Sequence, residues 1–158
     1  MIMKRIISAV LIISLIFVFA ACSGKSASVL PAASAVADAL SEGLKFGDEM
    51  EKNEVLDYNL GKYGIDASLV TELVRYVGSG ATADEVAVFK CTSSDAEAQV
   101  KKAVESRVEY LREGYASYGP QEIPKIDNAV ILEYGNDIVF CICEDSENVK
   151  SIVDNLIK

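Results

Sequence analysis

The chain contains no histidine and no tryptophan. Lack of histidine removes the commonest general base, the usual Ser-His and Cys-His nucleophile pairs and most zinc sites. Chemistry would have to come from carboxylates, lysines, tyrosines and thiols. Asp84 and Glu85 are adjacent carboxylates, and two carboxylates facing one cleft can do acid–base work on a glycan. Neighbouring residues of a strand point to opposite faces, so the pattern favours a solvated strand start. Ser79 lies in Gly78-Ser79-Gly80, whose amides could form a nest for an anion. No phosphate-loop lysine follows, so a flexible hairpin loop is the favoured reading. Tyr110, Tyr115 and Tyr118 crowd one helix end and could make a shelf for a sugar or a partner, although such tyrosines more often close a core edge. Ser79, Asp84, Glu85 and Tyr118 are therefore the surface-site candidates, and no catalytic residue is assigned.

The acidic stretch from Asp48 to Asp57 lacks the alternating ligands and central glycine of a calcium loop, and reads as a solvated face. Cys141 and Cys143 are two apart on an expected strand, so they share a face and are poor mutual partners. A bridge from Cys91 to either one is open, but buried thiols acting as small hydrophobes fit better. Cys141-x-Cys143 without further Cys or His nearby is a poor metal set. No metal and no cofactor are expected.

Cys22 stands apart. Met1 to Arg5 is a short positive segment, and Ile6 to Ala21 is apolar apart from Ser8 and Ser14. This is the layout of a secretory signal peptide, and the run falls short of the roughly 20 apolar residues that a membrane-spanning helix needs. Phe19-Ala20-Ala21-Cys22 resembles the lipobox of bacterial lipoproteins, with Phe19 where leucine is usual. The resemblance implies a diacylglyceryl thioether on Cys22 and cleavage after Ala21. Residues 1–21 are then a signal peptide, 22–30 a lipidated cysteine and tether, and 31–158 a single domain. The expected location is the extracytoplasmic face of the membrane, held by two acyl chains, where one would be marginal.

Charge narrows the partners. The full chain carries a net charge of −9, and loss of Lys4 and Arg5 takes this to −11. Such a domain is repelled by nucleic acid and anionic headgroups. Nucleic acid is not an expected partner, and attachment to the membrane falls to the covalent lipid.

The elements that must position these residues follow from periodicity. Val29, Ala33, Val36, Leu40 and Leu44 predict a helix over Pro31–Leu44. Phe46 to Lys62 has no clear assignment, and Tyr63-Gly64-Ile65-Asp66 reads as a turn. A strand is expected from about Leu73 to Val77, although Asp66 could cap a short helix before it. A second strand covers Glu85–Cys91, and a long amphipathic helix follows near Asp95–Tyr115, with Arg107 among its inner residues. Pro120–Ile126 reads as a short helical turn. Ala129–Tyr134 and Asp137–Cys143 read as a hairpin around Gly135-Asn136, and a last helix starts near Ser146. Two β-β-α units result. The expected fold is α+β: a two-layer sandwich with a four-stranded, mainly antiparallel sheet, preceded by an N-terminal helix.

Several blocks resemble a family of Gram-positive lipoproteins catalogued as domain of unknown function 4358. They are Leu44-Lys45-Phe46, Tyr63 to Asp66, Ser79 to Lys90, Tyr118 to Glu122 and Tyr134-Gly135-Asn136, with Ala83-Asp84-Glu85-Val86-Ala87-Val88-Phe89-Lys90 the most specific. Asp137 stands where the pattern has tyrosine. The resemblance extends over nearly all of residues 22–158 and implies secretion and lipidation, but no activity. The expected function is a non-enzymatic, lipid-anchored binding module at the cell envelope, for a small ligand or an envelope protein. The alternatives are a carboxylate-dependent envelope hydrolase, or an accessory subunit of a transporter or envelope assembly.

Overall fold

The computed structural model describes residues 29–157. The segment expected to be a signal peptide and the expected lipidation site Cys22 lie outside these residues. Five strands form one antiparallel sheet: β1 (Glu51–Asn53), β2 (Val70–Val77), β3 (Glu85–Cys91), β4 (Val130–Tyr134) and β5 (Asp137–Ile142). Their spatial order is β1-β2-β3-β5-β4. The helices are α1 (Ala33–Gly43), α2 (Leu56–Tyr63), α3 (Ser94–Tyr118), α4 (Ile123–Asp127) and α5 (Val149–Leu156).

Two features depart from the sequence expectation. The sheet has five strands, because the unassigned acidic stretch supplies β1 at its edge, with Lys52 opposite Tyr76. The helices also lie on both faces, so the molecule has three layers and not two. Ala87, Phe89, Ile138, Phe140 and Ile142 pack with Leu60, Val100, Val104 and Leu111 of α2 and α3. Val86, Val88, Val139 and Cys141 pack with Val36, Leu40, Val149 and Val153 of α1 and α5. The cause is legible in the strands themselves. Every residue of β5, and every residue of β3 except Lys90, is buried. A strand that is apolar without alternation has no face to give to water and must be covered on both sides.

Local signals set the element ends. Asp66 accepts a hydrogen bond from the Ser68 amide and caps a short turn at Ala67–Leu69, so β2 starts at Val70, earlier than Leu73. Ser93 caps α3 through the Ala96 amide. Gly64 ends α2 with φ +66°, a left-handed conformation that glycine adopts without a Cβ penalty. Of the two residues joining β4 to β5, Gly135 has φ +63° and Asn136 has a negative φ. Glycine at the first position suits a type II′ hairpin, which needs only one positive φ.

Candidate functional site

At the start of β3, the Glu85 side chain is almost fully buried and still fully partnered. Antiparallel register places Arg75 of β2 beside it, since Val77 pairs with Glu85 and side chains two apart share a face. Arg75 Nε donates to Glu85 Oε1 at 2.7 Å. The hydroxyl of Tyr63, the last residue of α2, donates to the same oxygen at 2.6 Å. Arg107 from α3 donates Nη2 at 2.9 Å and Nε at 3.2 Å to Oε2. Burial pushes the Glu85 carboxyl up, but the hydrogen bond and charge of Arg75, followed by Arg107 and Tyr63, outweigh it and hold the group below its ordinary value. Burial and the Glu85 charge push the Tyr63 phenol well up, so it remains a neutral donor. The Tyr63 ring is fixed edge-to-face against Phe89, with centroids 5.0 Å apart.

Above this cluster opens a cleft of about 480 Å³ between α2, the β2–β3 loop and α3. Tyr58 and Lys62 of α2, Arg75, Ser79, Arg107 and Tyr110 line it. Lys62 Nζ lies 4.7 Å from the Tyr58 ring centroid, and the Arg107 guanidinium 5.5 Å from that of Tyr110. A smaller depression of about 240 Å³ reaches Asp84, Glu85, Tyr115 and Tyr118.

The β2–β3 loop is tied down, in contrast to the flexible loop expected. Asp48 Oδ2 accepts from the Ser79 amide at 2.8 Å and also from the Ser79 hydroxyl. The Tyr115 hydroxyl donates to the Thr82 carbonyl and, at 3.1 Å, to that of Gly80. An anion nest at Ser79 is therefore already filled by a carboxylate of the chain itself.

Asp84 is buried and turns to other partners than Glu85. It accepts from the Gly47 amide at 2.7 Å, Thr82 Oγ1 at 2.8 Å and Lys125 Nζ at 2.7 Å. Lys125 also meets Glu122 at 2.9 Å, and Glu122 accepts from the Ala83 amide at 2.9 Å. Asp84 and Glu85 thus reach one depression with both carboxylates held in ion pairs, and neither is the solvated strand-start group expected. Tyr118 is exposed and tilts over Tyr115 at 4.7 Å between centroids.

Sequence reasoning thus found Ser79, Glu85 and Tyr110 of this region and missed Tyr58, Lys62, Tyr63 and Arg75. Arg75 did carry a signal: a cation inside the apolar segment Leu73–Val77 needs a buried partner. Arg107 carried the same signal on the inner side of α3.

Cys91, Cys141 and Cys143 are buried free thiols. Cys91 lies in the core under α3, and the other two lie in the core under α1 and α5, so the sheet itself separates them. Burial, with the charges of Glu97 and Asp137, pushes the Cys91 thiol up to about 12. Asp137 pairs with Lys90 at 2.7 Å. Among the described residues no group of His, Cys, Asp and Glu could hold a metal ion, and no helix is long and apolar enough to cross a membrane.

Residues 46–143 match the family model described as Domain of unknown function (DUF4358). The match is narrower than the resemblance read from the sequence. It spans the sheet with α2, α3 and α4, and leaves α1 and α5 outside. No curated protein and no solved structure matches the chain.

Proposed function

We propose that this chain, which belongs to the DUF4358 family, is a lipid-anchored extracytoplasmic module that binds a ligand and performs no reaction on it. The family brings no activity to carry over. One observation supports binding above catalysis. The buried carboxylates at the cleft and the adjoining depression, Glu85 and Asp84, are each saturated by cations and donors of the chain itself. Glu85, held below its ordinary value by Arg75, Arg107 and Tyr63, is a poor general acid. Asp84 has its oxygens engaged by Lys125, Thr82 and the Gly47 amide, whereas the glycosidase pattern needs one carboxyl free to give a proton. What the cleft turns outward is cationic and aromatic, a surface for holding rather than for transferring protons.

Anchorage rests on the lipobox-like Phe19-Ala20-Ala21-Cys22 and is tested apart from binding. Mass spectrometry of the membrane fraction should find diacylglycerol on an N-terminal Cys22. Cys22→Ala should remove the lipid and the cleavage that depends on it. A Cys22→Ala protein that still accumulates as the processed, lipid-bearing form defeats the anchor. Turnover of an envelope glycan by the purified chain, abolished by Asp84→Asn, would replace the binding reading with the hydrolase alternative.

A further inference from the structure

We infer that the cleft between α2 and α3 is a binding site for a compact acidic sugar, one that carries a phosphate or a carboxylate. The inference rests on the reading of the domain as a binding module and names the chemical class of its ligand.

Charge is the first reason. In other ion pairs of the described residues one cation meets one carboxylate, as in Lys90–Asp137 and Arg112–Asp127, or two, as Lys125 meets Asp84 and Glu122. At the cleft floor two guanidiniums share the single carboxylate of Glu85. Lys62 at the rim has no ion pair among the described residues and rests on the Tyr58 ring. The cleft is thus cationic within a chain of net charge −9. An anion repelled by the rest of the surface is drawn to this point.

Geometry is the second. Arg75 spends only Nε on Glu85, which leaves its terminal amino groups for a planar, bidentate acceptor such as a carboxylate or phosphate. Glu85 holds both guanidiniums in place before a ligand arrives, so little side-chain entropy remains to be lost on binding.

The third reason sets the size and body of the ligand. Beyond Ser79 the neighbouring depression is lined by Asp48, Glu49 and Glu51. A long polyanion laid across the cleft would run onto these carboxylates, whereas a single acidic group would not. At the rim Tyr58 is 51% and Tyr110 is 67% exposed. Such rings offer apolar faces and edges to the C–H side of a sugar, with hydroxyls at the water boundary.

The test is titration calorimetry of the full processed chain in detergent, with glucose 6-phosphate, glucuronate, inorganic phosphate and glucose as probes. At least one acidic sugar should bind about tenfold or more tighter than glucose, and tighter than inorganic phosphate, with affinity that falls as salt rises. Binding of glucose 6-phosphate alone assigns the phosphate, and binding of glucuronate alone assigns the carboxylate. Lys62→Glu and Tyr110→Ala alter exposed side chains that the fold does not need, and each should weaken the bound sugar by about tenfold. No heat from either acidic sugar at millimolar concentration overturns the inference. So does equal affinity for glucose or for inorganic phosphate, or affinity unmoved in both variants. A failed titration leaves the lipid on Cys22 untouched, and loss of that lipid leaves the titration unchanged, so the two readings fail separately.

Discussion

Tyr63 and Glu85, 22 residues apart in the chain, are joined by a 2.6 Å hydrogen bond in the interior. The bond links the end of α2 to the start of β3 and supplies one of the donors that a buried carboxylate requires. Tyr63→Phe keeps the edge-to-face contacts with Phe89 and Phe140 and removes only the hydroxyl. It should lower unfolding free energy by about 1.5–3 kcal/mol, the usual range for a hydrogen bond to a charged group. Urea titration checks this, and a midpoint equal to that of the parent protein would show the bond to be idle.

Removing the carboxylate charge should cost more. Glu85→Gln leaves Arg75 and Arg107 facing each other across a neutral amide, with side chains only 6% and 13% exposed. Breaking one side of a buried ion pair costs about 3–5 kcal/mol. A double substitution, Glu85→Gln with Arg107→Gln, should recover part of the loss, since it removes one of the two stranded cations. If the double variant is less stable than Glu85→Gln alone, charge is not what the triad contributes.

The same cluster sets a sign for pH dependence. Glu85 is held below its ordinary value of 4.5, with Arg75 the largest cause opposing burial, and Glu122 is lowered too by the Ala83 amide and Lys125. A lowered folded value means the stabilisation is complete above 4.5 and is lost as pH falls through the folded value. With no histidine in the chain, no side chain of that type titrates between about pH 5 and 8. Differential scanning calorimetry should give a nearly level Tm in that range and a steady fall below 4.5. A Tm that rises on acidification would contradict the ion-paired state of Glu85.

Two glycines should respond with opposite sign. A Cβ on Gly64 would meet nothing within 4 Å, so its φ of +66° is the sole obstacle. Gly64→Ala should destabilise by about 1–2 kcal/mol through left-handed backbone strain. Gly114, inside α3, also has open space around it and no positive φ. Gly114→Ala should stabilise by about 0.5–1 kcal/mol. Denaturant midpoints that move the same way in both variants would refute the conformational explanation.

Thiol chemistry reports the layering of the core. Cys91, Cys141 and Cys143 are all buried away from reagent. Burial also pushes the Cys91 thiol up to about 12, so little thiolate forms there at neutral pH. Cys143 is lowered by its hydrogen bond with Cys141 and is shielded by burial alone. The folded protein should react slowly with a thiol reagent, and all three should react once denatured, without prior reduction. A Cys91–Cys141 or Cys91–Cys143 disulfide found by peptide mapping would require the two cores to communicate through the sheet. It would contradict the three-layer fold.

Much of the architecture was legible in residue order. Strands β3, β4 and β5 and the long helix α3 were read within a few residues, because apolar periodicity and capping act over one or two turns of chain. The Gly135-Asn136 hairpin was legible for the same reason. Elements β1 and α2 were not. β1 is Glu51-Lys52-Asn53, which has no apolar residue to mark it, and it forms because β2 offers an open edge. Within α2 only Asn59, Leu60 and Tyr63 are buried, too few to stand out from an acidic stretch.

The absence of histidine, the acidic charge and the lipobox-like Cys22 are fixed by residue identity and survive any fold. The number of layers is not, since Val149 and Val153 mark an apolar face without saying which side of the sheet it covers. Nor is the cleft. Tyr63, Arg75, Glu85 and Arg107 come from four elements and meet because antiparallel register brings Arg75 beside Glu85 while α2 and α3 cover the same face. A buried carboxylate needs donors, but local sequence cannot name them, because their positions depend on long-range packing.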